Sequence, residues 1–168
     1  MPELYQLSAI EMVSHLKLGK VSPTEAVKAA YNRIEEVEAT INAMPTLCRN
    51  RALKAAKAIE NDRTIRTERK DDPTWLAGLP IAIKDLVDVA GVLTTYGSPI
   101  YSKNIPERSD IMVEKLEGNG AIIIGKSNTP EFGSGGNTFN QNKPDPKHLT
   151  NTIEIIGGNL KKSIMIGD

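Results

Sequence analysis

The first forty residues carry hydrophobic positions at helical spacing, broken by helix start and stop signals. Ser8 is followed three residues later by Glu11, and this capping-box spacing predicts a helix over residues 8–18 that ends at Gly19. A second start signal, Ser-Pro-Thr-Glu at 22–25, opens another helix. The predicted apolar face of this second helix consists of Val27, Ala30, Ile34 and Val37.

The next segment combines one more helical pattern with a polar run. Leu53, Ala56 and Ile59 recur at the spacing of a helix that covers about residues 47–60. The run "NDRTIRTERKDDPT" at 61–74 is almost entirely polar and charged, and it predicts an exposed loop.

Short apolar runs replace the helical spacing from residue 75 onward. Residues 79–84 predict a buried strand that ends at Lys84. Ser109 is positioned to cap a fourth helix that ends at Gly118, and the apolar run at 121–126 predicts a strand in the middle of a sheet. Helix followed by buried strand is typical of an α/β domain, so the fold class predicted here is α/β.

The pattern starts again after Asn140. Asp145, followed by Pro146, predicts the start of a short helix, and residues 163–168 predict a strand that ends on Asp168. Leu149, Ile153 and Ile156 form the apolar face of that helix. We therefore predict two parts, residues 1–140 and a helix-strand tail at 141–168.

Composition excludes several classes of function. Lys plus Arg and Asp plus Glu number 21 each, so no basic surface calls for nucleic acid. No apolar stretch has the length of a membrane span, and the first residues lack the pattern of a signal peptide. Cys48 is the single cysteine, which excludes an internal disulfide and fits a reducing compartment. We expect a cytoplasmic protein without membrane partners and without a cofactor.

Lys84 is the first candidate for chemistry. A lysine directly after a buried strand is expected to be partly buried, and burial lowers a lysine pKa because it penalises the ammonium form. A neutral lysine can act as a general base or activate a hydroxyl nucleophile. The alternative is a lysine at the sheet rim that pairs with Asp85 or Asp88.

The stretches "LAGLPIAIKDLVDVAGVLTTYGS" at 76–98 and "SDIMVEKLEGNGAIIIGKSNTPEFGSGGNTFN" at 109–140, with the two leading helices, resemble the N-terminal part of the amidase signature family. The resemblance covers about residues 5–140 and implies helices followed by part of the large mixed sheet of that family. It makes Lys84 the catalytic lysine. It makes Asn128, Thr129, Glu131 and Phe132 residues that support the site. The "TPEF" sequence is more similar to general amidases than to amidotransferase A subunits.

The chemistry implied by this resemblance is amide hydrolysis by two serines and a lysine. One serine attacks the carbonyl, a second relays the proton, the lysine is the base, and backbone N–H groups stabilise the oxyanion. The serines come from a Gly-Gly-Ser-Ser-Gly-Gly element that follows the position of Ser134, and no two serines of this chain are adjacent. Since these groups act as a unit, we expect the chain to be inactive by itself. The truncated sheet is expected to need a protein partner that covers it.

The tail "KPDPKHLTNTIEIIGGNLKKSIMIGD" at 143–168 resembles haloacid-dehalogenase-like phosphatases of the phosphoglycolate phosphatase branch. The resemblance makes Lys143 the lysine that neutralises the negative charge of the nucleophilic aspartate and of the phosphate. It makes Asp168 the first acid of a group of acidic residues that binds magnesium. No phosphatase nucleophile motif accompanies them. The alternatives are an exposed loop lysine for Lys143 and a solvated carboxylate for Asp168.

Three functions are therefore consistent with the sequence. The first is an amidase-family hydrolase acting on a small amide, with an incomplete catalytic set. The second is a non-catalytic interaction module, and the third is a non-functional fusion remnant. A magnesium-dependent phosphatase ranks last.

Overall fold

The computed structural model describes residues 3–134. This part of the chain is an α/β fold in which helices surround a small sheet. The elements run in the order α1 (Ala9–Lys17), α2 (Pro23–Ile41), β1 (Thr46–Leu47), α3 (Arg49–Asn61), α4 (Arg63–Glu68), β2 (Pro80–Lys84), α5 (Ile111–Gly118) and β3 (Ile122–Ser127), with 3₁₀ turns at Leu4–Gln6, Pro99–Tyr101 and Glu131–Gly133.

The sheet is mixed and has the order β1-β3-β2. β2 runs parallel to β3, and β1 runs antiparallel to it. The predicted central position of β3 is confirmed. β1 occupies residues where the third helix was predicted to begin, and α3 starts two residues later at Arg49. Gly125 permits this pairing, because a Cβ atom there would overlap the carbonyl oxygen of Thr46.

β3 is buried on both faces, as its apolar sequence requires. α2 and α3 pack on one face, and the segment after β2 packs with α5 on the other. The first cluster contains Val27, Tyr31, Ala52, Ala56, Ile122 and Ile124. The second contains Ile83, Val89, Val92, Val113 and Ile123.

The capping signals of the first two helices are confirmed. The Ser8 and Ser22 hydroxyls accept the N–H groups of Glu11 and Glu25 at 3.3 Å and 3.2 Å, and both glutamates bond back to the cap residues. The cap of α5 is Asp110 rather than Ser109.

Two further predictions differ from the structure, and two more lie outside the described residues. The Ser109 hydroxyl accepts the Ala90 N–H at 2.9 Å and thereby anchors the loop after β2 instead of capping α5. The polar run at 61–74 contains α4, whose N-terminus is capped by the Asp62 carboxylate at 2.9 Å from the Ile65 nitrogen. The predicted helix after Asp145 and the strand at 163–168 lie outside the described residues.

Candidate active site

Lys84 is the last residue of β2, and its partner across the sheet is Ser127 at the end of β3. Paired residues of neighbouring strands direct their side chains to the same face. Ile83 points to the opposite face and is buried, whereas Lys84 is exposed. The expected partial burial of Lys84 is therefore wrong. In the described part of the chain β2 is an edge strand, and the face that carries Lys84 is open at this end of the sheet.

Asp85 fixes the backbone directly after Lys84. Its N–H donates to the Ser127 carbonyl and its own carbonyl accepts the Tyr96 N–H, both at 3.0 Å. The Asp85 side chain is fully buried, and its carboxylate accepts the N–H of Thr95 at 3.2 Å and the Thr95 hydroxyl at 2.5 Å. Asp85 is thus held by hydrogen bonds to the end of β3 on one side and to Thr95 and Tyr96 on the other.

Lys126 is the second buried charge of the site. Its ammonium nitrogen lies 3.3 Å from the Asp85 carboxylate, 2.6 Å from the Val87 carbonyl oxygen and 2.7 Å from the Thr94 hydroxyl oxygen. An ammonium group has three N–H donors, and here each donor has an acceptor. Burial lowers the pKa of Lys126, and the Asp85 carboxylate opposes that shift.

The sequence predictions did not include this pair. The signal was present, because Asp85 follows one predicted strand and Lys126 ends the other. Parallel strands bring their carboxyl ends to the same edge of a sheet. The buried lysine of the site is therefore Lys126 and not Lys84, while Asp88, the other acid predicted to pair with Lys84, accepts the Tyr96 hydroxyl at 2.5 Å.

Two residues beside the strand ends adopt left-handed backbone conformations. The φ angles of Tyr96 and Phe132 are 53° and 51°. The Phe132 N–H donates to the Tyr96 carbonyl at 2.7 Å, and the Ser98 hydroxyl donates to the Glu131 carboxylate at 2.7 Å. Bulky residues in this region cost about 1–3 kcal/mol each, and such strain clusters at functional sites.

An aromatic group extends from these two residues. The ring of Tyr101 lies 4.9 Å from that of Tyr96 and 6.0 Å from that of Phe132, both edge to face. The hydrogen bond to Asp88 raises the pKa of Tyr96 to about 12, and burial adds to this. Phe132 is 53% exposed, so the group presents an apolar surface beside the strand ends.

The family resemblance predicted that four residues support the site. Two of them, Asn128 and Glu131, form hydrogen bonds that hold loops, and a third, Thr129, is buried. Asn128 donates from its backbone to the Ala43 carbonyl at 2.8 Å and from its side chain to the Asn42 carbonyl at 3.0 Å. Thr129 is buried, and its hydroxyl has no hydrogen-bond partner among residues 3–134. Glu131 accepts the Ser98 hydroxyl, as described above.

An apolar cavity of about 520 Å³ opens beside β2. The 3₁₀ turn at Leu4–Gln6, α1, α2 and the first residues of β2 form its walls. Its lining includes Leu4, Leu7, Met12, Ala26, Ile81 and Ala82. This cavity and the unpaired edge of β2 form one open side of the described fold.

Lys143 and Asp168 lie outside the described residues. Within residues 3–134, no group of three His, Cys, Asp or Glu side chains is arranged to hold a metal ion. None of the helices in that range is long and apolar enough to cross a membrane.

A family model described as "Amidase" matches residues 25–158, which is more than half of the chain. The chain belongs to the amidase family. This match runs past position 140, where the sequence pattern predicted the amidase-like part to end. The division at that position stays a prediction.

Curated relatives and solved structures agree with this membership. The chain is 41% identical over 138 residues to the A subunit of the Glutamyl-tRNA(Gln) amidotransferase from Carboxydothermus hydrogenoformans, an alignment that covers 82% of this chain and 28% of the relative. The corresponding protein of Thermoanaerobacter pseudethanolicus is 37% identical over 156 residues, covering 93% and 31%. The chain thus spans about three-tenths of the length of these relatives.

A crystal structure of a bacterial aryl acylamidase of the amidase signature family is also similar. It has a TM-score of 0.66 and 27% identity, and the alignment covers 79% of this chain and 27% of that one. The two curated relatives are amidotransferase A subunits with higher identity than this acylamidase. Relatives of both kinds match the chain, and the indication of a general amidase drawn from "TPEF" stays a prediction.

Proposed function

We propose that this chain is the lysine-bearing part of an amidase-family hydrolase that cleaves the C–N bond of a small amide. Lys84 is the general base in this proposal. The observation that carries the proposal is that Lys84 ends β2 within residues 25–158, the part of the chain that the family model matches. At that end of the strand the Lys84 amine is accessible to a substrate, while the Asp85 bonds fix the backbone beside it.

The reaction needs a nucleophilic serine hydroxyl. In the amidase signature family it comes from a Gly-Gly-Ser-Ser-Gly-Gly element, which residues 1–168 do not contain. A serine oxygen would add to the amide carbonyl, its proton would pass through a second serine to Lys84, and the C–N bond would break as the amine leaves protonated. Water would then release the acyl group. No two of the nine serines are adjacent in this sequence. We therefore propose that the chain alone does not hydrolyse an amide substrate.

Hydrolysis of p-nitroacetanilide tests this proposal. We expect the rate with the chain alone to equal the buffer rate, and Lys84→Ala to change nothing. A rate that depends on Lys84 would show that one of the chain's own hydroxyls serves as nucleophile. That outcome would keep the hydrolase assignment and overturn the claim of inactivity.

A second candidate function is a non-catalytic interaction module. The open edge of β2 and the apolar cavity beside it favour this candidate, because an exposed strand edge pairs readily with another chain. The partner would cover the sheet, in keeping with relatives whose names describe them as subunits. A complex of fixed stoichiometry in light scattering, without turnover, would support it. A non-functional remnant would instead fail to unfold cooperatively.

A third candidate function concerns the tail at 143–168. Lys143 and Asp168 are the candidates for a phosphatase-like site, and Mg²⁺-dependent hydrolysis of p-nitrophenyl phosphate is the assay. No turnover would reject that function. A cytoplasmic location also remains part of the proposal.

A further inference from the structure

A basic pocket lies between the end of α1 and the helix α4. It has a volume of about 400 Å³ and is lined by Lys17, Arg63, Arg66, Thr67 and Lys70. Four of these five side chains are cationic, and none is acidic. These residues come from α1, α4 and the residues after α4, whereas Lys84 and the Asp85–Lys126 pair lie at the ends of β2 and β3. A ligand here would be independent of the proposed amide hydrolysis.

The spacing of the cations explains how the pocket forms. Arg63 and Arg66 are one turn apart on α4, and Lys70 follows in the turn after the helix ends and lines the same pocket. The Lys17 ammonium is held opposite them, because it donates to the backbone carbonyl of Asp72 at 2.6 Å. The Thr67 hydroxyl donates to the Arg63 carbonyl at 2.9 Å.

The positive charge of the pocket is not neutralised by side chains. Within residues 3–134, none of the four cations forms an ion pair. The carboxylate of Asp72 is close in sequence, but it pairs with Arg69 at 2.8 Å. Lys17 and Arg66 lie in the last turns of α1 and α4, where a cation favours the helix dipole, but this does not account for Arg63 and Lys70. The chain has a formal net charge of zero, so a generally basic surface does not account for it either.

We propose that this basic pocket binds a small phosphate-bearing anion. Guanidinium groups match the oxygens of phosphate with pairs of parallel hydrogen bonds, and Lys17 and Lys70 add point charges. A volume of this order is that of a small-molecule site. The cations are confined to this pocket, whereas a face that binds nucleic acid is typically a basic patch or stripe on a domain of high pI, and this chain has no net charge.

Calorimetric titration with pyrophosphate tests the proposal. The intact chain is expected to bind pyrophosphate saturably with one site at low salt, and more weakly in high salt because ions screen the contact. Arg63→Gln and Arg66→Gln are each expected to weaken binding roughly tenfold to a hundredfold, the range for hydrogen bonds to charged groups. Thermal unfolding of each variant checks that it still folds, and Lys70→Gln serves as a third variant if one does not.

Arg108→Gln is the matched control. Arg108 is exposed and forms no ion pair within residues 3–134, so this change removes the same charge elsewhere on the molecule. It is expected to leave the pyrophosphate affinity unchanged. No saturable binding by the intact chain, or equal weakening by Arg108→Gln, would overturn the proposal. So would a single-stranded RNA that binds through these arginines and is not displaced by pyrophosphate.

Discussion

The ammonium nitrogen of Lys126 lies 3.3 Å from the carboxylate of Asp85, and both side chains are fully buried. This pair joins the end of β3 to the residue that follows Lys84. The remaining donors of Lys126 bond to the Val87 carbonyl and the Thr94 hydroxyl, so the pair also ties down the loop after β2. The backbone position of Lys84 therefore depends on two buried charges that are not themselves exposed to substrate.

Asp85→Asn is predicted to destabilise the fold strongly. It leaves the Lys126 ammonium buried without a counter-charge, and breaking one partner of a buried pair costs about 3–5 kcal/mol. Urea denaturation followed by circular dichroism measures the loss. The double variant Asp85→Asn/Lys126→Met should lose less than the sum of the two single variants, because it leaves no unpaired charge.

Asp71→Asn is the control for this prediction. Asp71 is exposed, so its removal is expected to change the free energy of unfolding by less than about 0.5 kcal/mol. If Asp85→Asn proved as mild as Asp71→Asn, the buried pair would not hold the site together.

Lys84 and Lys126 are predicted to differ in reactivity toward an amine acylating reagent. Lys84 is exposed, whereas Lys126 is fully buried and makes three polar contacts. Peptide mapping by mass spectrometry of the folded chain should find Lys84 acetylated and Lys126 unmodified. Both lysines should react in the chain unfolded by urea. Protection of Lys84 in the folded chain would contradict the open edge at β2.

Gly97→Ala is predicted to destabilise the loop that carries Tyr96. Gly97 has a φ of 67°, and a Cβ atom there would lie 2.7 Å from the carbonyl oxygens of Thr129 and Pro130. The cost should exceed about 1 kcal/mol, since the backbone conformation and the space both exclude a side chain. Gly118→Ala, at the end of α5 with no atom within 4 Å of its Cβ position, should be neutral or stabilising. Equal effects of the two changes would contradict this account of the loop.

Asp72 is predicted to make the free energy of unfolding fall as the pH is lowered into the acid range. Bonds from the Thr74 hydroxyl and N–H and from the Arg69 guanidinium lower the pKa of Asp72 from 3.8 to about 2. A carboxyl whose pKa is lower in the folded state stabilises the fold above its ordinary pKa. That contribution is lost as pH falls from about 4 toward 2.

Urea denaturation of the intact chain and of Asp72→Asn across that range measures the contribution of Asp72. The intact chain should lose more stability on acidification than the variant does. Parallel curves would show that Asp72 is not bonded in this way in solution.

The sequence was sufficient to predict the features that are encoded locally. The capping boxes at Ser8 and Ser22 fixed two helix starts, and the apolar run at 121–126 identified the central strand. Burial depends on neighbouring elements, and the predicted burial of Lys84 failed because no element within residues 3–134 covers the face of β2 that carries its side chain. α4 was missed for a related reason, because its six residues are polar on nearly every side and are stabilised by the Asp62 cap.

The Asp85–Lys126 pair was also missed, and the reason is topological. The two residues are forty-one positions apart, and only the parallel pairing of β2 with β3 brings them together. Local spacing and composition do not report such a contact, and the two predicted strands indicate it only when they are placed side by side in one sheet. Tertiary pairing therefore decided which of the two lysines is buried.

A chimeric enzyme tests the central claim, that Lys84 is the base of an amidase-family site, most directly. Residues 5–134 of this chain would replace the aligned segment of the bacterial aryl acylamidase, whose remaining part supplies the rest of the family fold. In a chimera that folds, as judged by cooperative unfolding, we predict hydrolysis of p-nitroacetanilide that Lys84→Ala abolishes and Lys103→Ala, an exposed control, preserves. Hydrolysis that survives Lys84→Ala would contradict the role of Lys84.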